Sequence, residues 1–327
     1  MLHRIKNKIE YLNKLYNIHQ DCDRFCKGHS VKLYNWSRPF LQDMWLIDFI
    51  EKRGLLADKK KKRICLHSVF GPVWMTRFDN ADGRIFVERE NLHKPQFKDW
   101  LHRYLDDDRF GLSLGFDYIS HPKYMRFPFW IMWNVFSPTA DYDEIKQRID
   151  QMDSVDNHSY DDRKFCAYLC SHDDIGRREL FNQFSGIGHV DCDGKLFHNN
   201  DELKEIYNDD KLAYLRNYRF NLTPENNNQK DYVTEKLFEA ISSGCIPIYH
   251  GSDNLPEPEI LNHDAIIFIE VGGKNDAALS MVKELDADRD KYLEFANQKR
   301  FQAGAADIIW EYYMQLENRI KEIVANI

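Results

Sequence analysis

An alternation of short apolar runs with helical patterns constrains this chain most, and it occurs twice, once on each side of a polar stretch. Strands that alternate with helices predict parallel sheets covered by helices. In the first half, the predicted strands are residues 31–36, 64–70, 84–87 and 112–116, with a helix at 40–51. In the second half, they are 165–170, 220–223, 246–249 and 265–269, with helices at 176–184, 203–207 and 234–242. The chain is therefore predicted to fold as two α/β domains.

The polar stretch at residues 150–162 is rich in turn formers and lacks apolar periodicity. We place the domain boundary there, with a first domain at 1–160 and a second at 161–327. Near the end of the chain, Ile309, Tyr313 and Leu316 belong to one apolar helical face. This face predicts a long helix over about 304–327 that packs back on the first domain.

The bulk composition excludes some classes of protein. A net charge of -8 and a pI near 5.9 argue against a nucleic acid as the main partner. The sequence has no apolar run long enough to span a membrane and no secretion signal after Met1, which predicts a cytoplasmic protein. The 7 cysteines are an odd, scattered set, which is typical of reduced thiols.

The N-terminal segment places apolar residues at helical spacing among lysines. They are Leu2, Ile5, Ile9, Leu12 and Tyr16. This face favours docking on the first domain, while contact with a membrane surface, at the periphery of the inner membrane, is the open alternative. The basic run 59–63 offers the same choice between anionic lipid and a solvated loop.

A segment from residue 218 to 251 reads as strand, loop, helix and strand. A helix that begins at Thr234 presents backbone N–H groups and the positive end of its dipole, which suits a diphosphate. Lys236 in the first turn adds a positive charge where a leaving pyrophosphate gains negative charge, and Glu235 can accept hydrogen bonds from sugar hydroxyls. The alternative is an ordinary helix with an exposed Glu-Lys pair.

The whole segment resembles the donor-binding signature of the α1,3-fucosyltransferases, glycosyltransferase family 10, of bacterial type. The matching residues are Glu225-Asn226, Asp231-Tyr232-Val233-Thr234-Glu235-Lys236, and Ile246-Pro247-Ile248-Tyr249-His250-Gly251. The resemblance implies that Glu225, Thr234, Glu235 and Lys236 bind the donor, and that Asn226 and Tyr232 line the nucleotide site. Pro224 departs from the family, in which many members have Phe before Glu-Asn.

Two thinner matches precede this segment. The strand from Lys164 and the spacing Arg-x-x-Phe at Arg178 look like the family's opening of the donor domain, where an arginine contacts the diphosphate. Arg177 is its neighbour, and only the spacing favours Arg178. The turn 191–195 is similar to a Gly-Gly-Lys turn of the family, with Asp193 in place of one glycine.

In the first domain, the strand from Arg84 leads to the dipeptide Glu90-Asn91. This resembles the family's segment that carries the catalytic base. An attacking hydroxyl must lose a proton, and a carboxylate within hydrogen-bond reach can take it. Glu90 is preferred because it stands at the strand end, where α/β sheets build sites. Glu88 on the same strand is the rival, and an ordinary surface glutamate is the alternative.

Three sets of residues have metal-ligand types but are expected to serve other roles. His19, Cys22, Cys26 and His29 have ligand types, but Cys22 and Cys26 fit one helix face rather than a zinc knuckle. The run 106–108 and the pair at 191 and 193 imitate acidic metal motifs in turns. Because Arg178 and Lys236 would supply the positive charge, the expected chemistry requires no metal or other cofactor beyond the donor substrate.

The resemblance implies a GT-B architecture, with two facing Rossmann-like domains and a C-terminal helix that crosses back. It implies an inverting transfer of L-fucose from GDP-fucose to an N-acetyllactosamine-like glycan, most simply in α1,3 linkage, during bacterial glycan synthesis or protein glycosylation. A GT-B enzyme for another nucleotide sugar and a non-catalytic glycan-binding protein are the alternatives. Trp130 and Trp133 fit either the core or a sugar platform, with the core favoured.

Overall fold

The structure is a computed structural model, and it describes most of the chain. The described residues are 2–37, 43–57, 62–88, 90–101, 103–133, 135–173 and 176–327, with side chains described from residue 6 onward. The predicted helix at 40–51 and the basic run 59–63 lie partly outside them. The chain forms two compact units, one of Met1–Ala140 with Glu311–Ile327 and the other of Asp141–Trp310.

The first unit is built on a five-stranded parallel sheet in the order β1-β2-β3-β4-β5. Its strands are β1 (Val31–Tyr34), β2 (Ile64–His67), β3 (Gly83–Val87), β4 (Leu112–Gly115) and β5 (Tyr124–Arg126). Its α-helices are α1 (Leu2–Phe25), α2 (Met44–Lys52) and α3 (Arg103–Asp106), and 3-10 turns lie at Val73–Arg77, Pro95–Phe97 and Phe129–Trp133. All strands point the same way, so the loops after them leave from one edge of the sheet.

The second unit has a parallel sheet in the order β7-β6-β8-β9-β10. Its strands are β6 (Lys164–Ala167), β7 (Val190–Asp191), β8 (Tyr218–Pro224), β9 (Ile246–His250) and β10 (Ile267–Phe268). Its helices are α4 (Tyr142–Met152), α5 (Arg177–Ser185), α6 (Glu202–Glu205), α7 (Lys211–Leu215), α8 (Glu235–Ser242), α9 (Asp276–Ala287) and α10 (Arg289–Ala296), and α11 (Ala305–Ala325) begins in it. The strand order reverses between β6 and β8, and such a switch point is where open α/β sheets bind ligands.

The units divide before α4 and not within the polar stretch at 150–162. Asp141 begins α4 with a capping box, in which its carboxylate accepts from the amide of Glu144 and the Glu144 carboxylate accepts from the amide of Asp141. The helix then joins the second unit, because Asp153 after it accepts the backbone amide of Arg300 at 2.6 Å. A boundary at residue 160 separates α4 from the unit in which it packs.

The last helix changes units along its length. It begins at Ala305 in the second unit, and from Glu311 onward it belongs to the first. Tyr313, Leu316 and Ile320 are buried there, and Arg53 pairs with Glu317 at 3.1 Å. The apolar face read from the sequence is the one that packs.

Helix α1 packs through a different face from the one the sequence indicated. Leu15, Ile18 and Cys22 are buried, as is Cys26 just beyond its end, whereas Ile9, Leu12 and Tyr16 are exposed. The expected docking face was therefore wrong for the described side chains, because burial begins only at the turn that reaches β1. None of the helices in the described chain is long and apolar enough to cross a membrane.

Two core features bear on the sequence predictions. Trp130 has no exposed surface and fills the core of the first unit, while Trp133 is half-buried. All seven cysteines lie in the described part of the chain, where they are buried free thiols. Strands β5 and β7 were missed because, unlike the similarly short β10, they do not lie within a longer apolar run of the sequence.

Candidate functional site

A cavity of about 310 Å³ lies in the second unit at the switch point between β6 and β8. The residues after β6 form one part of its lining, and the end of β8 and the first turns of α8 form another. The charged and amide side chains that line it are Arg177, Lys211, Asn221, Asn226, Glu235, Lys236 and Glu239. Asn226, Glu235 and Lys236 were predicted from the sequence, and the structure brings them together.

Lys236 is held in place by a buried carboxylate. Its Nζ donates to Glu225 Oε2 at 3.0 Å and to Thr234 Oγ1 at 2.9 Å, and its side chain keeps 20% exposure. Burial by itself lowers the pKa of Lys236, but the charges of Glu225 and Glu235 raise it above that of an ordinary lysine. Lys236 therefore presents a fixed positive charge to the cavity.

Glu225 and Thr234 organise the site from behind instead of lining it. Glu225 is fully buried and accepts from the Thr234 amide at 2.7 Å and the Thr234 hydroxyl at 2.7 Å, besides Lys236. The Thr234 amide is thereby used inside the protein and is not offered to a diphosphate. The N–H groups of the following turn of α8 remain at the positive helix end.

Tyr232 also lies outside the cavity lining, with only 6% of its surface exposed. The turn before it is tight, since Asp231 has φ 64° and its amide donates to Ser252 Oγ at 3.1 Å. The resemblance placed Tyr232 in the nucleotide site, whereas here it is a core residue of this turn.

Two acidic side chains one helical turn apart line the cavity on α8. Burial by itself raises the pKa of Glu235, but Lys236 and Lys211 lower it below the usual value, so this carboxylate is ionised. Glu239 lies 3.4 Å from Lys211 Nζ, yet burial and the charge of Glu235 raise its pKa. Lys211 and Glu239 were not among the predicted residues; the i, i+4 spacing of Glu235 and Glu239 was the available signal.

The arginine that lines the cavity is Arg177, and the prediction of Arg178 is not supported by its position. Arg177 is buried, and its guanidinium donates to Asn226 Oδ1 at 2.7 Å and to the His172 carbonyl at 2.9 Å. Arg178 is 64% exposed, with its guanidinium over the Phe197 ring. Successive helical residues point about 100° apart, so only one of the pair can face the cavity.

A glycine shapes the loop after β6. A Cβ atom on Gly194 would collide with the Cys170 carbonyl oxygen and lie 2.7 Å from its amide nitrogen. Cys170 lines the cavity, and the Leu196 amide donates to its carbonyl at 3.1 Å. Of the family-like turn at 191–195, Gly194 is thus the residue that the packing requires, and the Asp193 carboxylate accepts the Leu203 amide at 3.3 Å.

The first unit carries the predicted base and its rival near the end of β3. Glu90 is half-buried in the bend that follows β3. Arg89, which separates Glu88 from Glu90, lies outside the described residues. Glu88 is buried, and one carboxylate oxygen accepts the Leu92 amide at 3.3 Å. Burial and the charge of Asp117 raise the pKa of Glu88 well above its usual value. A buried, protonated acid is a poor base, which favours Glu90 over Glu88.

The zinc-like spacing in α1 is used for other contacts. The Cys22 thiol donates to the Trp36 carbonyl, Cys26 accepts the Leu33 amide, and His29 bonds to Glu51 at 2.7 Å. Cys65, His67 and Asp79 also lie close together among the described residues. Asp79, however, is paired with Arg84 at 2.6 Å and His67 at 2.5 Å, which makes the group an internal ion-pair cluster.

Known proteins are similar in sequence to the second unit. Residues 160–320 match the family model described as glycosyltransferase family 10 (fucosyltransferase) C-term. The chain is 33% identical over 116 residues to GDP-fucose protein O-fucosyltransferase 3 of Xenopus laevis, covering 34% of this chain and 24% of that protein. It is 30% identical over 99 residues to alpha-(1,3)-fucosyltransferase B of Drosophila melanogaster, covering 30% and 22%. The matched stretch thus spans about a quarter of these relatives.

Solved structures match over more of the chain. A crystal structure of an α1,3-fucosyltransferase with GDP aligns with TM-score 0.54 and 20% identity, covering 88% of this chain and 89% of that one. A second α1,3-fucosyltransferase structure aligns with TM-score 0.52 and 21% identity over 80% and 76%. At this identity the likeness shows the fold, which is the GT-B class with two parallel α/β domains. The second unit is thus similar to the C-terminal domain of glycosyltransferase family 10, the fucosyltransferase family.

Proposed function

We propose that the protein transfers L-fucose from GDP-fucose to a hydroxyl of a glycan, with inversion at the anomeric carbon. One observation carries the proposal: a cavity at the switch point joins Arg177 and Lys236 with Glu235 and Asn226. Two cations suit a diphosphate, while a carboxylate and an amide suit hydroxyls and a base edge. The relative from Xenopus is named for GDP-fucose, and one aligned structure holds GDP, which supports this donor.

On the donor side, Lys236 and Arg177 would stabilise the departing GDP. The bond between the anomeric carbon and the diphosphate oxygen breaks, and its electron pair leaves with GDP. The negative charge grows beside an ammonium that Glu225 already holds in position, so little reorganisation accompanies the step. The ionised carboxylate of Glu235 would accept hydrogen bonds from fucose hydroxyls.

On the acceptor side, Glu90 would act as the base. The acceptor oxygen forms the new bond to the anomeric carbon, and its proton passes to the Glu90 carboxylate. Because the attack comes opposite the leaving GDP, the configuration inverts. The basic side chains of the cavity supply the counter-charge for GDP, so the proposed step needs no metal.

For the acceptor, we propose an N-acetyllactosamine-like glycan joined in α1,3 linkage. The Drosophila relative is named for an alpha-(1,3) transfer, and the aligned structures are α1,3-fucosyltransferases. These names are the support for linkage, because the described cavity belongs to the donor unit alone.

The test combines turnover with one variant. The purified protein is incubated with GDP-fucose and an oligosaccharide panel; GDP release is measured, and NMR reads linkage and anomeric configuration. We expect transfer with GDP-fucose and none with UDP- or CMP-sugars. Glu90→Gln should lower kcat by about 10²- to 10⁴-fold while GDP-fucose affinity is unchanged. Retained configuration would overturn the inverting mechanism, and full activity of Glu90→Gln would overturn the base assignment.

We also propose that the protein works in the cytoplasm and contacts the inner membrane through α1. Ile9, Leu12 and Tyr16 are exposed on a helix that also carries Lys6 and Lys8. An exposed apolar face with lysines suits an anionic membrane surface. Flotation with anionic and neutral vesicles tests this proposal. Absence of the protein from both floated vesicle fractions would contradict it.

A further inference from the structure

A second, larger cavity lies wholly in the first unit. It is an open groove of about 1100 Å³, and no residue assigned so far lines it. Its lining comes mainly from residues 69–77 after β2, residues 96–100 after β3, and residues 103–109, which include α3. The first two segments are joined because the Trp100 indole donates to the Gly71 carbonyl at 3.2 Å.

Aromatic rings are available on this surface. Trp74 is 52% exposed, and Phe97 is half-buried against Phe70 with ring centroids 6.4 Å apart. A large exposed ring of this kind gains free energy when a ligand covers it. A flat aromatic face beside polar groups is the arrangement that covers the apolar face of a sugar ring while its hydroxyls find hydrogen bonds.

The groove has polar groups but no net charge. It is lined by four basic and four acidic side chains: Lys14, Arg77, Arg103, Arg109, Asp99, Asp106, Asp107 and Asp108. Arg109 pairs with Asp107, and Lys123 pairs with Asp108. Within the described ranges, no side chain pairs with Arg77, Asp99 or Arg103, so these donors and acceptors are available to a ligand. Balanced charge disfavours a phosphorylated ligand or nucleic acid and favours a neutral, polyhydroxylated one.

The groove and the proposed base are both built from loops that follow neighbouring strands of the sheet. Strands β2 and β3 are parallel neighbours, so the loops after them leave from the same edge. Glu90 follows β3 directly, and the chain reaches Gln96 and Phe97 in the groove lining within seven residues of it. Glu90 and the start of the groove lining therefore lie at the same edge of the sheet.

We propose that this groove binds the sugars of a neutral oligosaccharide acceptor beyond the one that reacts, with Trp74 as a stacking platform. The inference rests on the proposed function, because it names the substrate of that reaction more closely. It makes the protein selective for acceptor length: longer chains gain contacts with Trp74, Asp99 and Arg103 that a disaccharide does not reach.

The experiment compares N-acetyllactosamine with its linear hexasaccharide in wild type, Trp74→Ala and Phe78→Ala. Phe78 is a matched control, because it is 67% exposed and packs against Trp74 at 5.9 Å but does not line the groove. We expect Trp74→Ala to raise KM for the hexasaccharide roughly tenfold. The same variant should leave kcat, KM for the disaccharide and KM for GDP-fucose unchanged. Phe78→Ala should match wild type throughout.

Saturation-transfer NMR of the hexasaccharide, without donor, separates the two proposals. Binding by wild type that is lost in Trp74→Ala supports the groove even if no fucose is transferred, which would overturn the proposed function alone. Hexasaccharide binding that is equal in wild type and Trp74→Ala, or absent from both, overturns the groove. Active transfer with equal KM values in all three proteins would overturn the groove and leave the proposed function standing.

Discussion

Lys236 Nζ donates to the fully buried carboxylate of Glu225 at 3.0 Å, so the cation of the donor cavity is fixed from behind. Both residues belong to the segment that resembles the family signature, but they do different work. Lys236 faces the cavity, and Glu225 holds Lys236 and the start of α8. Because the two side chains form an ion pair, loss of Lys236 should affect both donor binding and folding.

Lys236→Met should lower both GDP affinity and stability. The variant leaves the Glu225 carboxylate buried without its ion-pair partner, which costs about 3–5 kcal/mol in the free energy of unfolding. Adding Glu225→Gln should recover most of the stability without recovering GDP binding. Calorimetry with GDP and denaturant unfolding measure the two effects; unchanged GDP affinity in the single variant would count against the donor site.

Arg177→Ala and Arg178→Ala form a matched pair of neighbouring substitutions. Arg177 lines the cavity and Arg178 is exposed, so the first should weaken GDP binding by about 1.5–3 kcal/mol and the second by far less. Titration calorimetry with GDP distinguishes them. A larger loss in Arg178→Ala would restore the assignment based on Arg-x-x-Phe spacing.

Glu88→Gln should change how stability depends on pH. Burial and Asp117 raise the folded pKa of Glu88 well above 4.5, and the Tyr104 and Tyr124 hydroxyls near it are neutral. A raised carboxyl pKa contributes stability that is fully present below the unfolded pKa and is lost as pH rises toward the folded pKa. In that window the free energy of unfolding of wild type falls by about 1.4 kcal/mol per pH unit. Glu88→Gln does not show this fall, because glutamine cannot ionise.

The free energy of unfolding of Glu88→Gln relative to wild type should therefore increase as pH is raised from about 5 to about 8. Denaturant unfolding at several pH values gives this difference. A constant difference across the range would mean that the Glu88 pKa is ordinary. Asp117→Asn serves as a partial control, since it removes the neighbouring charge but leaves Glu88 buried.

Gly194→Ala should disturb the loop after β6. The new methyl group would meet the backbone of Cys170, and overpacking of this kind costs about 1–3 kcal/mol. Because Cys170 lines the cavity, GDP affinity should fall as well. Gly304→Ala is the control, since its Cβ would meet nothing within 4 Å. Thermal unfolding of both variants checks the prediction, and equal midpoints would refute it.

Much of the fold follows from local pattern. The apolar runs predicted β1 to β4, β6 and β8 to β10 to within a few residues, because a buried parallel strand is a continuous apolar run. The very short β5 and β7 lack such a run. The face of α1 was wrong because periodicity shows that a helix is amphipathic but not where along its length burial begins.

The sequence by itself determined that two parallel α/β domains would form and that Asn226, Glu235 and Lys236 would meet, since these residues lie in one strand-loop-helix segment. Only the tertiary structure decided which members of the segment face the cavity. Glu225, Thr234 and Tyr232 are buried away from the cavity, while Arg177, Lys211 and Glu239 line it from α5, α7 and α8. Whether a side chain is buried and which way it points depend on residues distant in the chain, so local spacing does not predict them.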